Sequence, residues 1–362
     1  MKKFLSVVGA RPNFMKIAPV HLEFLKYKDS VQHLICHTGQ HYDEKMSKIF
    51  FDDLNISPPD FNLNVGSGSH SVQTANIMIG FEKVLIAEKP DLLIVVGDVN
   101  STIAGSLVAK KMNIPVAHIE AGLRSFDRTM PEEINRVLTD AISDYLFVTE
   151  QSGIDNLEKE GVDKSKIFFT GNVMIDSLVH SMKKIDESPV LSSLGLAKHD
   201  YILCTLHRPT NVDNKAALEK ILATLNSFAE KKKIVFPVHP RTRANMKEFG
   251  IGNDLSPNIL FTDPIGYCDF LRLVKNASLT ITDSGGIQEE TTYLGVPCVT
   301  LRDNTERPIT VQIGSNYLAG TDVSKLAGFV TNILNGDIKK SIVPPLWDGK
   351  AAERICRVLT SI

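Results

Sequence analysis

Short apolar runs alternate with amphipathic stretches along almost the whole chain. The amphipathic stretches have a helical period, and each apolar run has the length of a buried strand. In the first half the pattern predicts strands at residues 3–9, 31–39, 91–98, 115–122 and 145–150. After residues 166–176 it predicts a second series at 200–208, 233–240, 258–263, 277–286 and 297–303. Strands that alternate with helices in this way predict parallel sheets covered by helices.

A polar stretch that contains proline separates the two series of strands, within residues 172–199. The chain of 362 residues also exceeds the usual size of a single hydrophobic core. We therefore predict an α/β protein with two doubly wound domains, at residues 1–175 and 176–349. Sheets of this kind bind ligands in the crevice at the carboxyl ends of their strands.

The composition is that of an ordinary soluble protein. A net charge of −2 gives no electrostatic reason to expect a nucleic-acid partner. No run approaches the roughly 18 apolar residues of a membrane span, and the N-terminal segment MKKFLSVVGARP predicts a first strand rather than a signal peptide. The five cysteines form no C-x-x-C pair and no zinc-ligand spacing, which favours reduced thiols and a cytoplasmic location.

Polar and charged residues recur just after the predicted strands, where a doubly wound sheet binds its ligands. In the first domain they are Arg11, Lys16, Gln40, His41, Asp43, Asp98, Glu120, Glu132, Glu133 and Arg136. In the second they are His207, Arg208, His239, Arg241, Ser284 to Glu290, Arg302, Glu306 and Arg307. Each alone has an ordinary structural explanation, such as a helix cap, a turn or a solvated helix face. Their joint position at the strand ends favours a site.

The stretch TDSGGIQEET (282–291) joins a predicted strand to a predicted helix. Ser284, Gly285 and Gly286 fall on the turn that opens the helix, where unpaired backbone N–H groups and the helix dipole favour a phosphate. We expect Glu289 and Glu290 in the first turn, where they suit the dipole but repel an anion. One of them could instead hold a neutral group such as a sugar hydroxyl. A capped helix after a simple turn is the structural alternative.

The expected site combines this phosphate-binding turn with a cluster of carboxylates in the first domain. Carboxylates packed together cannot all ionise cheaply, so we expect at least one to act as acid or base near neutral pH. The segment after the first strand lacks the motif G-x-G-x-x-G. The absence of this motif argues against hydride transfer with a bound dinucleotide. The pattern favours proton abstraction beside a phosphate leaving group, or transfer chemistry on a nucleotide sugar. The cluster comprises Asp98, Glu120 and Glu132, and Arg11, Lys16 and His207 could neutralise a diphosphate.

Nine segments of this chain, in order, resemble the non-hydrolysing UDP-N-acetylglucosamine 2-epimerases, over about residues 3–320. The segments are GARPNFMKIAPV, TGQHYD, VVGDVNST, HIEAGLRS, MPEEINR, TGNVMID, LHRPTNVD, TDSGGIQEE and LGVPCVTLRDNTERP. The resemblance implies a GT-B fold, in which two Rossmann-like domains face a cleft. It also implies that the C-terminal helix, here 350–362, packs back on the first domain, and that the protein is a homodimer which requires no metal or cofactor.

The resemblance further implies roles for individual residues. The reaction would be anti elimination of UDP to give a 2-acetamidoglucal, followed by return of UDP with C2 protonated from the opposite face. The implied catalytic residues are Lys16, Asp98, Glu120, Glu132 and His207. The implied or expected substrate-binding residues are Arg11, Arg136, His239, Phe270, Ser284, Gly285, Gly286, Glu290 and Arg307, with Phe270 beside the uracil, Glu290 on the ribose and Glu289 as a structural partner.

Three other functions remain open from the sequence. Close relatives of the family epimerise UDP-2,3-diacetamido sugar uronates, and these motifs do not distinguish the substituents at C3 and C6. A GT-B glycosyltransferase would share the UDP site but has less need of three carboxylates facing the sugar. A sensor of nucleotide sugars without enzymatic activity would keep the UDP-binding residues and lose the carboxylates.

Overall fold

The computed structural model of this chain describes residues 1–39 and 56–362, apart from the side chain of Arg11. The predicted site residues Gln40, His41 and Asp43 lie outside the described residues, as does that side chain. Two compact units are present, one formed by Met1–His180 with Pro345–Ile362 and the other by Ser181–Pro344.

The first unit is built on a parallel sheet of seven strands. Its strands are β1 (Lys2–Val8), β2 (Val31–His37), β3 (Phe61–Asn62), β4 (Leu92–Val96), β5 (Val116–Ala121), β6 (Tyr145–Val148) and β7 (Ile167–Phe169). Its helices are α1 (Arg11–Phe24), α2 (His70–Glu88), α3 (Asn100–Lys111), α4 (Pro131–Ile142), α5 (Gln151–Lys159) and the beginning of α6 (Val173–Glu187), with 3-10 turns at Leu25–Tyr27 and Lys164–Lys166.

The second unit is built on a parallel sheet of six strands. The strands are β8 (Tyr201–Thr205), β9 (Lys233–Pro237), β10 (Ile259–Thr262), β11 (Leu279–Thr282), β12 (Cys298–Thr300) and β13 (Asn316–Leu318). The helices are α7 (Val190–Ser193), α8 (Pro209–Val212), α9 (Lys215–Ala229), α10 (Pro240–Phe249), α11 (Tyr267–Asn276), α12 (Gly285–Leu294), α13 (Pro308–Gln312) and α14 (Val323–Leu334).

Both sheets are doubly wound. Their strand orders are β3-β2-β1-β4-β5-β6-β7 and β10-β9-β8-β11-β12-β13, so the winding reverses between β1 and β4 and between β8 and β11. Right-handed crossovers place α1 on one face of the first sheet and α2 to α5 on the other. All residues of β4 are buried, as expected for a central strand with helices on both faces. The predicted α/β class with two doubly wound parallel sheets is confirmed.

All ten strands predicted from the apolar runs are present, and nine of them are shorter than their runs. The short strands β3, β7 and β13, of two or three residues, were not predicted, because such a segment shows no period of its own. The run at 277–286 ends as a strand at Thr282, since its last two residues already belong to α12. The polar stretch between the two series is largely helical, formed by α6 and α7 on either side of Ser188 and Pro189.

The last residues of the chain belong to the first unit. Helix α15 (Ala351–Ser361) packs against α1, and the Trp347 indole N–H donates to the Thr149 carbonyl at 3.0 Å. The buried Asp176 carboxylate accepts the Ala351 and Ala352 N–H groups at 3.1 and 2.7 Å. Asp176, which is distant in sequence, therefore accepts the N–H groups at the start of α15 that a local capping residue would otherwise bind.

All five cysteines are buried, and none forms a disulfide. Among residues 1–39 and 56–362, no helix is both long and apolar enough to cross a membrane.

Asp176 should make the stability of the first unit depend on pH. Burial raises the pKa of Asp176 to about 6, against the opposing effect of the Ala352 and Ala351 N–H groups. The folded state then binds this proton more tightly than the unfolded state. The stabilisation is present below about pH 4 and is lost as the pH rises through about 6, an effect of about 3 kcal/mol.

The measurement is urea unfolding of the wild type and Asp176→Asn from about pH 4 to about pH 7, followed by fluorescence of Trp347, the single tryptophan. We expect the stability advantage of the wild type to shrink as the pH rises. The exposed Asp163, whose pKa is lowered by the Ser165 N–H, serves as control, since Asp163→Asn should not show this trend. A difference between wild type and Asp176→Asn that stays constant with pH would contradict the assignment.

Candidate functional site

The residues that follow β1 and β4 are tied together by Asn13. Its amide oxygen accepts the Gly9 and Ala10 N–H groups at 3.2 and 3.0 Å, and its amide nitrogen donates to the Val96 carbonyl at 3.0 Å. The start of α1 is therefore fixed against the end of β4, at the point where the winding of the sheet reverses. Lys16, one turn into α1, is carried to the same place.

Lys16 and Glu120 form a buried ion pair. The lysine Nζ lies 2.8 Å from Oε1 and 2.7 Å from Oε2 of the carboxylate, and the residues are only 6% and 4% exposed. Glu120 has a left-handed backbone, with φ of 73°, and the pairing of β5 with β6 shifts register between Ile119 and Ala121. Such a bulge re-aims a side chain at a local cost of about 1–2 kcal/mol. It turns Glu120 toward α1, whereas His118 in the same strand faces α4.

Asp98 is held by a second ion-pair network. The Arg136 guanidinium contacts Asp98 through Nη2 and Glu133 through Nη1, the latter at 2.7 Å. Glu133 in turn accepts the Ser125 and Phe126 N–H groups, each at 2.9 Å. Arg136 of α4 thus joins the residue after β4 to the loop that contains Ser125 and Phe126. Arg136, expected to bind substrate, is engaged here in holding Asp98.

Glu132, the third expected carboxylate, is half-buried in the first turn of α4. A negative charge there is favoured by the helix dipole. Asp98 and Glu120 each lie against a cation, because an unpaired buried charge would cost several kcal/mol.

In the second unit, a carboxylate that the sequence analysis did not single out organises the loop after β8. Asp283 is fully buried directly after β11 and accepts the Arg208 N–H at 2.9 Å and the Asn211 amide at 3.0 Å. Burial alone would raise the pKa of Asp283, but His207, Asn211 and the Arg208 N–H together hold it below its usual range. Asp283 is therefore a permanent anion at the carboxyl end of the sheet.

Asp283 also orients the imidazole of His207. His207 Nδ1 lies 2.9 Å from Asp283 Oδ1, so Nδ1 carries a proton and Nε2 is the nitrogen that can exchange one. The ring of His239 lies 5.6 Å from that of His207, centroid to centroid. Partial burial and the neighbouring His207 lower the pKa of His239, whose Nδ1 accepts the Arg241 N–H as the cap of α10.

The Ser284–Gly286 turn opens α12, which begins at Gly285. Glu289 and Glu290 therefore lie in the second turn, and the expectation that they occupy the first turn is wrong. The first turn carries no acidic side chain, so the repulsion expected for an anion at this helix start is absent there. A Cβ on Gly285 would lie 2.9 Å from Arg307 Nη1 and 2.9 Å from Glu306 Oε1, so a larger residue there would have to displace this ion pair.

Arg307 belongs to a buried ion-pair network behind this turn. Its Nε lies 2.7 Å from Glu289, its Nη1 lies 2.6 Å from Glu306, and Glu306 also contacts Arg302 at 2.7 Å. All four side chains are at most 6% exposed. Arg307, expected to contact substrate, thus supports the turn through Gly285.

Of the remaining predicted residues, Glu290 is buried in α12 and Phe270 is half-buried in α11, which packs against α12. The described site residues are thus divided between the two units. The first group contains Lys16, Asp98, Glu120, Glu132 and Arg136, and the second contains His207, His239, Phe270, Ser284, Gly285, Gly286, Glu290 and Arg307. Among residues 1–39 and 56–362, no cluster of three or more His, Cys, Asp or Glu side chains could hold a metal ion.

Asn13, Asp283 and Asp140, whose Oδ1 lies 2.6 Å from His118 Nδ1, are buried polar residues that the sequence analysis missed. Asp283 had a visible signal, because it is the polar residue that ends a buried strand in TDSGG. Asn13 stands between Arg11 and Lys16 in GARPNFMK but looks like an ordinary turn residue. Asp140 had no signal, since it lies in the last turn of an amphipathic helix where charged residues are common.

Comparison with known proteins gives a match over nearly the whole chain. The family described as UDP-N-acetylglucosamine 2-epimerase matches residues 23–360. A UDP-N-acetylglucosamine 2-epimerase of Methanocaldococcus jannaschii is 47% identical over 99% of this chain and 99% of that protein. The crystal structure of the enzyme from this organism in complex with UDP-GlcNAc and UDP has a TM-score of 0.92, at 46% identity, and covers 99% of this chain and 100% of that one.

A second relative has a different substrate in its name. The UDP-2,3-diacetamido-2,3-dideoxy-D-glucuronate 2-epimerase of Pseudomonas aeruginosa is 42% identical over 88% of this chain and 88% of that protein. The full-length structural similarity and the two parallel sheets together confirm the GT-B fold that the sequence resemblance implied.

The buried Lys16–Glu120 pair predicts a large and non-additive effect on stability. Replacement Lys16→Met removes the cation beside the buried Glu120 carboxylate and should lower the free energy of unfolding of the first unit by about 3–5 kcal/mol. The double replacement Lys16→Met with Glu120→Gln should recover much of this loss, because the buried negative charge is then removed as well.

Urea unfolding followed by Trp347 fluorescence measures each value. Lys3→Met is the matched control, since Lys3 pairs with Glu88 at 3.0 Å with both side chains partly exposed, and such pairs contribute about 0–1 kcal/mol. If Lys16→Met costs no more than Lys3→Met, the pair does not have the buried character described.

Proposed function

The chain belongs to the UDP-N-acetylglucosamine 2-epimerase family, and from that premise we propose that it interconverts UDP-N-acetylglucosamine and UDP-N-acetylmannosamine without net hydrolysis. The observation that carries the proposal is the similarity to such epimerases over both units at 47% identity. The two groups of side chains described above support it, since one suits proton transfer and the other suits a diphosphate.

The second unit supplies the diphosphate site in this proposal. The start of α12 presents unpaired backbone N–H groups without an acidic side chain in its first turn, which favours a phosphate. His207, held by Asp283 through Nδ1, offers its Nε2 to the diphosphate. These groups stabilise the charge that develops on UDP as it leaves. Glu290 and Phe270 bind the ribose and the uracil, as the family resemblance implies.

The first unit supplies the acids and bases. In the forward step a carboxylate removes the C2 proton, the C1–O bond breaks, and its electron pair leaves with UDP. A 2-acetamidoglucal with a C1–C2 double bond remains. In the return step C2 takes a proton on its opposite face, while a diphosphate oxygen of UDP forms the new bond to C1. Asp98, Glu120 and Glu132 perform the proton transfers, with Lys16 holding Glu120 in place.

A related sugar is the second candidate substrate. The Pseudomonas aeruginosa relative named as a UDP-2,3-diacetamido-2,3-dideoxy-D-glucuronate 2-epimerase favours a UDP-2,3-diacetamido sugar uronate. The same elimination and return of UDP would invert C2 in that compound. The two substrates differ only at C3 and C6 of the sugar.

The family resemblance also implies a homodimer. Val72, Ile79 and Ile86 are exposed at intervals of seven residues along α2, so they form an apolar stripe suited to a second copy. Sedimentation of the purified protein would measure this directly.

Incubation in deuterium oxide tests the proposed reaction. UDP-N-acetylglucosamine incubated with the protein, and with no acceptor, should give an anomeric-proton NMR signal of UDP-N-acetylmannosamine. Because C2 is deprotonated and reprotonated from solvent, the product should carry deuterium at C2. Product that keeps its original C2 hydrogen would exclude the elimination route. A parallel incubation with a UDP-2,3-diacetamido sugar uronate decides between the two substrates.

The three proposed acids and bases can be tested by amide replacement. Asp98→Asn, Glu120→Gln and Glu132→Gln keep the side-chain shape but remove proton transfer, so each should lower kcat by about 10²–10⁴-fold. UDP affinity, measured by calorimetry, should survive in each variant. Glu88→Gln is the control, since Glu88 ends α2 and pairs with Lys3 away from this group. A variant with nearly full activity removes its residue from the catalytic set.

A further inference from the structure

His118 lies in the middle of β5, and its fully buried ring contacts one oxygen on each side. Nε2 lies 2.8 Å from the carbonyl oxygen of Gly97, and Nδ1 lies 2.6 Å from Oδ1 of Asp140 on α4. A carbonyl oxygen can only accept a hydrogen bond. Nε2 therefore carries a proton. Whether Nδ1 also carries one depends on the charge of Asp140.

The surroundings of Asp140 keep it ionised. Its second oxygen, Oδ2, accepts the Gly122 N–H at 3.0 Å and contacts Arg124 Nη1 at 2.7 Å. Burial alone would raise the pKa of Asp140, but His118 and Arg124 hold it below its usual range. Two lone pairs facing each other at 2.6 Å would repel strongly, so an ionised Asp140 requires a proton on Nδ1.

We propose that His118 is a buried imidazolium, doubly protonated between Asp140 and Gly97, and that it is a positioning residue for the 2-epimerase reaction. Its Nε2–H fixes the Gly97 carbonyl, and Gly97 directly precedes the catalytic carboxylate Asp98. The kinetic part of this inference rests on the proposed function, whereas the protonation of the ring does not.

Gly97 is the point where this bond acts on the site. Its N–H donates to the Ile119 carbonyl at 3.1 Å, so with His118 both polar groups of this residue are pinned. Gly97 has φ of 65°, and a Cβ there would lie 3.0 Å from Lys16 Nζ. The turn that carries Asp98 therefore lies against the Lys16–Glu120 pair. Any movement of the Gly97 carbonyl would change the placement of both.

The charges around the ring are balanced. Asp140 comes from α4 and Arg124 from the loop after β5, and Arg124 also binds Glu160 just beyond α5, at 2.8 and 2.7 Å. From the facing end of β4 comes Asp98, which is paired with Arg136 of α4. Glu120 is directed to Lys16 of α1. With His118 protonated, the group of His118, Asp140, Arg124 and Glu160 has two cations and two anions, as the interior favours.

Nitrogen-15 NMR of protein labelled at histidine tests the protonation without reference to activity. At about pH 8 an ordinary histidine, with a pKa of about 6.5, is neutral and carries one ring proton. His118 in the intact wild type should keep a proton on both ring nitrogens at this pH. In Asp140→Asn the ring should lose one of them, because the amide can donate to Nδ1. A wild-type His118 ring with a single proton would overturn the proposal.

Kinetics test the positioning role. His118→Asn is too short to reach Gly97 and should lower kcat by about 10–100-fold with little change in KM, as losses of supporting hydrogen bonds do. Asp144→Asn is the control, since Asp144 accepts the Val116 N–H at 2.8 Å and contacts Lys110 at 2.9 Å near the other end of β5. It should cost stability but leave kcat unchanged.

A His118→Asn variant that loses as much stability as Asp144→Asn and keeps its kcat would overturn the positioning role. If the wild type does not epimerise the UDP-sugar, the proposed function fails, and the NMR result alone still decides whether the ring is an imidazolium.

Discussion

The candidate site residues of the first unit depend on the burial of a lysine and a glutamate against each other. Lys16 and Glu120 are buried as a pair, because removing a single charge from water costs several kcal/mol. Three local features make the pair possible. Asn13 fixes the start of α1 against β4, β5 changes register so that Glu120 crosses to the α1 side, and Gly97 has no side chain to occupy the space of the lysine.

The second unit solves the same problem with backbone donors. Asp283 stays ionised in full burial because the Arg208 N–H, the Asn211 amide and the His207 ring all bind it. Its carboxylate thereby fixes the loop after β8 beside the strand that leads into α12. A buried anion held by several donors fixes the position of those donors. Donor groups that are already fixed need no rearrangement when charge develops on a leaving group, and this preorganisation is the main source of electrostatic catalysis.

Arginines in both units take a supporting part. Arg136 joins Asp98 to Glu133, and Arg307 joins Glu289 to Glu306 behind the Gly285 turn. The planar guanidinium can bind two carboxylates at once, which a lysine ammonium does with less definite geometry. Such residues influence the reaction through the groups they hold. His118 and Asp140 form a further buried pair, and His118 contacts the Gly97 carbonyl in the turn that carries Asp98.

The sequence by itself determined the class of the fold, ten of the strands, the location of polar residues at strand ends, and the family, because these follow from local periodicity and from contiguous motifs. It did not determine β3, β7 and β13, the first residue of α12 or the ionic partners. Lys16 and Glu120 are separated by 104 residues, and Asp176 and Ala352 by 176. Only the tertiary structure decided these pairs, because the order of strands in the sheet brings distant segments together, and a charge so buried must take the partner that lies there.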